Sequence, residues 1–242
     1  MPSLDRLISS SRQAVEERRA ARPLAELEEA VAGLDPIRPF TEAVVGEEIS
    51  FVLRCPNHAD LLHAAADAGV AGLFARTDQE LADAAAASEL PLLNHGLLVD
   101  PYQLYETRVI GGDGVVLLAA AFEDEDERLA AMHGIALELG LDVVVEVASE
   151  REIDAVMELV DPDSFLIRNR DGENGAAEFE RTFSLLEEVP AGKAVLSQGG
   201  IRSREHAAAL ESVGVDAAVI GRWIYDGELG RTLDVLRGDS RD

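Results

Sequence analysis

The chain is poor in several residue types, and each shortage excludes a kind of chemistry. Its 242 residues include one cysteine, Cys55, and one lysine, Lys193, beside 20 arginines. A lone cysteine cannot form an internal disulfide, and a catalytic thiol would need a base such as His58 at fixed geometry. We therefore expect Cys55 to be a small apolar residue at the end of a strand. Any mechanism that needs an active-site ammonium group has Lys193 as its single candidate.

Long apolar runs and an excess of positive charge are also missing. No stretch reaches about 18 consecutive apolar residues, and the N-terminus lacks the apolar block of a signal peptide, so we expect a cytoplasmic protein with no membrane partner. The formal net charge of −26 argues against binding to nucleic acid or to acidic lipid. Nothing in the sequence distinguishes a monomer from a homodimer.

The chain does contain enough apolar sequence for a large core, with 47% hydrophobic positions. The clearest unit runs from Leu92 to Leu118. It begins with a buried strand, Asp100-Pro101 caps a helix, and Gly111-Gly112 ends that helix before a second apolar run. The unit is therefore strand, helix, strand.

The same order recurs along the chain. Strands that are apolar on both faces and alternate with helices predict a parallel sheet, and eight of them at this length favour an α/β fold of the (β/α)8 TIM barrel type. An open doubly wound sheet is the alternative. The predicted strands are Ile49–Leu53, Ala71–Ala75, Leu92–His95, Gly114–Ala119, Asp142–Val147, Ser164–Arg168, Ala194–Gln198 and Ala217–Gly221.

Helices are predicted between these strands and before the first of them. We expect residues 1–242 to be one barrel domain, in which residues 1–48 are an N-terminal helical extension and lead-in. The extension begins with a helix over residues 3–20 whose inward side chains are Leu4, Leu7, Ile8 and Val15. The later helices are predicted at Ala59–Ala68, Asp78–Ala87, Pro101–Ile110, Asp124–Leu139, Glu150–Leu159, Ala176–Glu188, Arg204–Val213 and Gly227–Leu236.

In such barrels the reacting residues lie at the C-terminal ends of the strands. Six arginines fall there in an otherwise acidic chain, which predicts an anionic small-molecule ligand, although arginine is also simply abundant. Glycines after the last two strands resemble a phosphate site, because they let backbone N–H groups approach the anion. The predicted ligand-binding residues are Gly199, Gly200, Gly221, Arg222, Arg168 and Arg54.

Two further residues at this end could transfer protons. Glu146 ends an apolar strand and should be desolvated, and His95 follows another odd-numbered strand, so both could point into one cavity. A structural salt bridge is the alternative role for Glu146. His133 and His206 fall within helices and are expected at the surface. His58 and His63 lack metal-ligand spacing, so neither a metal nor another cofactor is predicted.

Several segments resemble one known family. LDRLISSSRQAVEERRAARPLAELE, PLLNHGLLVDPYQLYETRVIGGDGVVLLAAAF, LGLDVVVEVASERE, FLIRNRD and GVDAAVIGRWI are similar to indole-3-glycerol-phosphate synthases of tryptophan biosynthesis. The resemblance implies a (β/α)8 barrel with an extra N-terminal helix. It also implies the decarboxylation and cyclisation of a carboxyphenylamino-deoxyribulose phosphate.

The departures from the family pattern fall on the chemistry. The resemblance places Phe51 and Leu53 where the family has a carboxylate and a lysine, and His95 where it has a second lysine. Arg168 stands for an asparagine and Arg222 for a serine, while Glu146 keeps its acid-base group. We therefore expect a barrel that lacks the standard reaction. The alternatives are an active synthase or divergent carbon-carbon lyase that uses Glu146 and His95, and a non-catalytic partner of a pathway enzyme.

Overall fold

A computed structural model describes residues 3–56, 59–123, 125–170, 176–226 and 228–238. Eight parallel strands close into a barrel in sequence order, and β8 pairs with β1. The predicted (β/α)8 barrel is confirmed, and the open doubly wound sheet is wrong. The strands are β1 Ser50–Arg54, β2 Gly72–Ala75, β3 Leu92–Asn94, β4 Gly114–Leu118, β5 Asp142–Val147, β6 Ser164–Arg168, β7 Ala194–Gln198 and β8 Ala217–Ile220.

Helices surround the barrel and precede it. Hydroxyl caps start three of them, because the side chains of Thr77, Ser149 and Ser203 each accept a hydrogen bond from an amide in the first turn. Short 3-10 turns follow β4 at Ala119–Phe122 and β8 at Arg222–Asp226. The helices are α1 Leu4–Ala21, α2 Leu24–Val31, α3 Phe40–Val44, α4 Ala59–Asp67, α5 Asp78–Ala87, α6 Tyr102–Ile110, α7 Asp126–Glu138, α8 Glu150–Leu159, α9 Arg181–Leu186, α10 Arg204–Ser212 and α11 Leu229–Arg237.

The segment after β6 differs from its prediction. Helix α9 is shorter than the helix predicted over residues 176–188, because the preceding chain pairs with itself instead. Arg170 forms an antiparallel bridge with Ala177, and the N–H of Glu178 donates to the carbonyl of Asn169 at 2.6 Å. The predicted start of the last helix, Gly227, lies outside the described residues.

Alternate side chains of each strand face the barrel interior. One residue from every strand packs into an inner apolar cluster, and the residues on either side of it pack outward against the helices. The inner residues are Val52, Phe74, Leu93, Val116, Val144, Leu166, Leu196 and Val219. This alternation fixes which residues can reach the mouth of the barrel.

Helix α3 closes the N-terminal end of the barrel. Phe40 joins the inner cluster and lies 5.7 Å from the ring of Phe74. The buried carboxylate of Asp113 accepts hydrogen bonds from the amides of Leu92 and Arg38, both at 2.8 Å, and from the Arg38 guanidinium. Lys193, the single candidate for an active-site ammonium group, lies at this end and contacts Asp161 at 2.6 Å, so it is remote from the mouth.

The N-terminal helix α1 packs against α6 and against the 3-10 turn that follows β4. Val15, Leu27 and Tyr102 form a buried cluster, and the Tyr102 hydroxyl donates to the Arg22 carbonyl at 2.8 Å. The predicted extra helix is therefore confirmed. Leu7 is 45% exposed, so its predicted inward position is wrong.

Candidate functional site

The C-terminal mouth of the barrel is charged, unlike the apolar interior below it. Side chains alternate between the two faces of a strand, so the residue two positions after each inner residue also faces inward and lies at the mouth. These eight residues form a ring that includes three arginines, one histidine and one carboxylate. The ring consists of Arg54, Arg76, His95, Leu118, Glu146, Arg168, Gln198 and Gly221. Below it the barrel is packed with side chains, so the ring forms the floor of the candidate site.

Glu146 is the hub of this ring and is 6% exposed. The Nε2 atom of His95 lies 2.5 Å from one carboxylate oxygen, and the Nε atom of Arg168 lies 2.7 Å from the other. Burial alone would raise the pKa of Glu146, but the hydrogen bond from His95 and the charges of His95, Arg168 and Arg76 hold that pKa below its usual value. Glu146 is therefore an ionised carboxylate, and the predicted pair with His95 is brought together.

The contact with Glu146 determines how His95 carries its proton. An ionised carboxylate only accepts hydrogen bonds, so Nε2 of His95 carries the proton in this contact. The other ring nitrogen, Nδ1, is buried and has no hydrogen-bond partner among the described residues. The Phe74 ring meets the imidazole edge-on, with 5.1 Å between the centroids. His95 is thus fixed in orientation by Glu146 on one side and Phe74 on the other.

The arginines of the mouth differ in their surroundings. Arg168 is 22% exposed and donates from Nη1 to the carbonyl of Arg170 at 3.0 Å, while its contact with Glu146 is an ion pair without hydrogen-bond alignment. Arg54 is half-buried and Arg76 is exposed at the rim. The mouth therefore presents guanidinium groups at several depths around the carboxylate of Glu146.

Arg222 lies further out and has a different partner. Its guanidinium is 44% exposed and contacts the carboxylate of Glu80, the other oxygen of which accepts the Arg76 amide at 2.8 Å. Arg222 was predicted to bind a ligand, and here it pairs with the carboxylate of Glu80. Sequence reasoning did not predict this partner. Its signal was the spacing of Thr77 and Glu80, which is that of a capping box.

The predicted turn after β7 has a backbone conformation that requires glycine. Gly199 and Gly200 have φ values of 108° and 84°, and a Cβ atom on Gly200 would lie 3.3 Å from Phe179 Cβ. Neither amide donates to a backbone carbonyl of a described residue. The turn therefore needs both glycines and leaves its N–H groups available to an acceptor. Gly221, after β8, has only Trp223 within 4 Å of a Cβ built there.

A buried polar cluster behind the turn was also missed from the sequence. The Asn169 amide donates to Ser197 Oγ at 3.0 Å and to the Gly199 carbonyl at 3.2 Å. The Thr182 hydroxyl donates to the side-chain oxygen Oδ1 of Asn169 at 2.9 Å. These bonds join the loop after β6 to the glycine turn, and only the fold brings the three segments together.

Several expectations for single residues need correction. Phe51 and Leu53 face the helices, where the Arg237 guanidinium of α11 lies 5.6 Å from the Phe51 ring, so neither can line the mouth. The inward residues of β1 are Val52 and Arg54, because a shift of one residue turns a side chain to the other face. The strand thus still lacks a lysine and a carboxylate.

Two other predictions concern buried groups. Cys55 is 1% exposed, and burial followed by the charge of Glu80 raises the pKa of its thiol to about 12. The thiol is therefore protonated and apolar in behaviour, as expected. Its suggested partner His58 lies outside the described residues. His133 is 8% exposed, so its predicted surface position is wrong, and burial lowers its pKa.

A cleft of about 680 Å³ lies beside α1, between the start of α6 and the start of α7. Its lining is acidic, and Asp100 and Glu125 pair with Arg19 and Arg12 of α1. We assign no anionic ligand to it because these carboxylates would repel one. The lining residues are Asp100, Pro101, Glu125, Asp126, Glu127, Arg128 and Ala131.

Neither a metal site nor a membrane span is found in the described part of the chain. No three His, Cys, Asp or Glu side chains among those residues are grouped to hold a metal ion. No described helix is both long enough and apolar enough to cross a bilayer.

The closed parallel barrel with helices around it places the chain in the class of (β/α)8 barrel proteins. A solved structure of the same fold is a mutant tryptophan synthase alpha-subunit from the hyperthermophile Pyrococcus furiosus. It has a TM-score of 0.60 at 14% identity, and the match covers 80% of this chain and 99% of the subunit.

Sequence comparisons give the family. The sequence model of indole-3-glycerol phosphate synthase matches residues 71–231, and this chain belongs to that family. It is 33% identical to the indole-3-glycerol phosphate synthase of Acidithiobacillus ferrooxidans over 90% of this chain and 91% of the relative. It is 30% identical to indole-3-glycerol phosphate synthase 2 of Streptomyces coelicolor over 96% and 97%.

Proposed function

We propose that this barrel binds a phosphorylated or otherwise anionic small molecule at its C-terminal mouth and lacks the standard synthase reaction. The observation that carries the proposal is the ring at the mouth, where Arg54, Arg76 and Arg168 share the floor of the site with the carboxylate of Glu146 and no position is a lysine. The ring supplies guanidinium groups, which donate hydrogen bonds to an anion, in place of the family's general acids.

The positive charge of the mouth supports anion binding. The whole chain carries −26, so an anion is repelled by most of the surface and attracted by this region. A guanidinium group donates two parallel hydrogen bonds to a carboxylate or phosphate, and the glycine turn at Gly199 and Gly200 offers backbone N–H groups nearby in the same end of the barrel. Arg222 can join them by exchanging Glu80 for the ligand.

The loss of the synthase reaction is supported by the inward faces of the strands. The reaction of the family uses two lysines and a carboxylate, as the resemblance implies, and β1 presents Val52 and Arg54 to the interior. Lys193 lies at the opposite end of the barrel. Losing one general acid costs about a hundredfold to ten-thousandfold in rate, and here two are missing.

Binding of inorganic sulfate tests the anion site. Isothermal titration calorimetry of the Arg168→Gln variant should show sulfate binding weakened by about tenfold or more, because a charge-assisted pair is lost. Arg151→Gln is the matched control, since Arg151 is 82% exposed, pairs with Glu123 and is not a member of the ring. Equal sulfate affinity in the wild type and both variants would contradict the proposal.

One observation favours a second candidate, a divergent enzyme that transfers protons on its ligand. His95 and Glu146 form a buried 2.5 Å contact inside the mouth, which is the arrangement of an oriented acid-base group. Exchange of ligand protons with deuterated solvent, lost in His95→Gln, would distinguish this candidate from a binding protein.

A further inference from the structure

We infer that Glu80 is an internal competitor of the anion, because its carboxylate engages the Arg222 guanidinium and must be displaced before Arg222 can bind a ligand. The inference rests on the proposed function, since it names the residue that limits the affinity of the same site. It starts from an ion pair between two distant segments. Arg222 follows β8, whereas Glu80 lies in the first turn of α5, after β2.

Glu80 is held in place by the start of its own helix. Its amide donates to the hydroxyl of Thr77 at 3.1 Å, and its carboxylate accepts the amide of Arg76 at 2.8 Å. These reciprocal bonds form a capping box. The Glu80 side chain is 17% exposed, and its second carboxylate oxygen contacts the Arg222 guanidinium. The carboxylate is therefore a fixed negative charge beside Arg222.

Arg222 is the more exposed partner, with 44% of its side chain accessible. Among the described residues, Glu80 is the one acceptor that its guanidinium contacts. A guanidinium group binds a carboxylate and a phosphate or sulfate through the same N–H donors. Exposed ion pairs are also weak, so an incoming anion can replace Glu80 at Arg222.

The pair also draws Arg222 away from the glycine turn. The strand order is β7, β8, β1, β2, so the ends of β8 and β1 lie between the turn after β7 and the helix that carries Glu80. After burial, the charges of Glu80 and Arg222 are the next influences on the pKa of the Cys55 thiol, which places the pair near the end of β1. The guanidinium is therefore directed toward β2, on the side away from Gly199 and Gly200.

Glu80 thus opposes anion binding in two ways, by engaging Arg222 and by repelling the anion with its own charge. A glutamine at this position separates these effects from the helix cap. Its side-chain oxygen can still accept the amide of Arg76, because glutamine serves as well as glutamate in a capping box, but it carries no charge. Glu80→Gln should therefore release Arg222 and keep the start of α5.

Isothermal titration calorimetry with sulfate tests the inference on the whole chain. At one low, fixed salt concentration, Glu80→Gln should bind sulfate about threefold or more tightly than the wild type. Arg222→Gln should weaken binding only slightly by itself, because Glu80 already offsets Arg222. The same substitution should abolish the gain when it is combined with Glu80→Gln.

Glu152→Gln is the matched control. Glu152 forms the same kind of capping box on α8, with the hydroxyl of Ser149 and the amide of Ala148, and it forms no ion pair with an arginine of the described chain. Its substitution should change sulfate affinity by less than about twofold, because it removes a nearby charge without releasing a guanidinium group.

The outcomes separate the inference from the proposed function. Unchanged or weaker sulfate binding in Glu80→Gln would overturn the inference and leave the anion site intact. A gain that persists in the double variant, or an equal gain in Glu152→Gln, would also overturn it, since either would be a general effect of charge. Absence of sulfate binding in the wild type and every variant would overturn the proposed function as well.

Discussion

The two ends of the barrel are built from different chemistry. At the N-terminal end, α3 plugs the barrel with Phe40, and the carboxylates of Asp113 and Asp142 are engaged by backbone amides. At the C-terminal end, arginines surround the carboxylate of Glu146, and the buried Nδ1 atom of His95 has no described partner. The two N-terminal carboxylates therefore have partners within the chain, while the mouth contains a buried ring nitrogen without one among the described residues.

The largest effect is expected on the outward face of β1. Leu53 is fully buried between the barrel and its helices, so Leu53→Lys places an ammonium group in an apolar layer. We expect the free energy of unfolding to fall by about 4 kcal/mol or more. Denaturation in urea measures it, with Leu53→Met as a control that should cost less than about 1.5 kcal/mol. A stable Leu53→Lys variant that gains synthase activity with His95→Lys would show that our strand register is wrong.

At the N-terminal end, Asp113→Ala should remove about 3 kcal/mol from the free energy of unfolding. The substitution leaves the Leu92 amide and the Arg38 guanidinium without their buried acceptor. Asp161→Ala is the matched control at the same end, because Asp161 is 80% exposed, and it should cost about 0 to 1 kcal/mol. Similar losses in both variants would remove the distinction between an engaged and an exposed carboxylate.

At the mouth, Glu146→Gln should lower the free energy of unfolding by less than the two preceding substitutions, and the loss should depend on pH. The pKa of Glu146 is lowered in the folded state, so its stabilisation is complete above the unfolded value of about 4.3 and is lost as the pH falls through the lower folded value. We expect the wild type to be more stable by about 2 kcal/mol at pH 7. Chemical denaturation from pH 7 to pH 3 should show this difference shrinking. A difference that grows in acid would mean that the folded carboxyl is protonated first.

The smallest effect concerns Cys55, which lies just behind the mouth. Burial raises the pKa of its thiol to about 12, so a thiol reagent at neutral pH should modify the native protein at less than about a hundredth of the rate for the unfolded chain. Labelling followed by mass spectrometry measures both rates. Rapid native labelling would place Cys55 inside the accessible site.

Local patterns were sufficient to predict most of the fold. Runs of three apolar residues in β6 and β7 and the caps at Ser149 and Ser203 are signals that need no knowledge of distant contacts. Helix α9 was extended too far, because the antiparallel bridge between Arg170 and Ala177 depends on chain reversal. A helical composition cannot reveal a competing tertiary contact.

The site was predicted only in part. Glu146 and His95 were identified as partners because inward positions on odd strands face one another. Their arrangement with Arg168, and the partnership of Arg222 with Glu80, depend on side-chain directions that a sequence does not contain. The family resemblance placed Phe51 and Leu53 at the mouth, one residue away from the inward positions of β1. The correct inward residues of β1, Val52 and Arg54, are known only from how the two faces of the strand pack.

The most direct test of the account is turnover of the family's carboxyphenylamino-deoxyribulose phosphate. The purified chain should be assayed beside the Acidithiobacillus ferrooxidans relative as a positive control, with indole product followed by its fluorescence. We predict no turnover above background from this chain, because its mouth has arginines and a histidine but no lysine. Turnover at about 1 per second or faster would contradict the central claim that the mouth binds an anion without performing the synthase reaction.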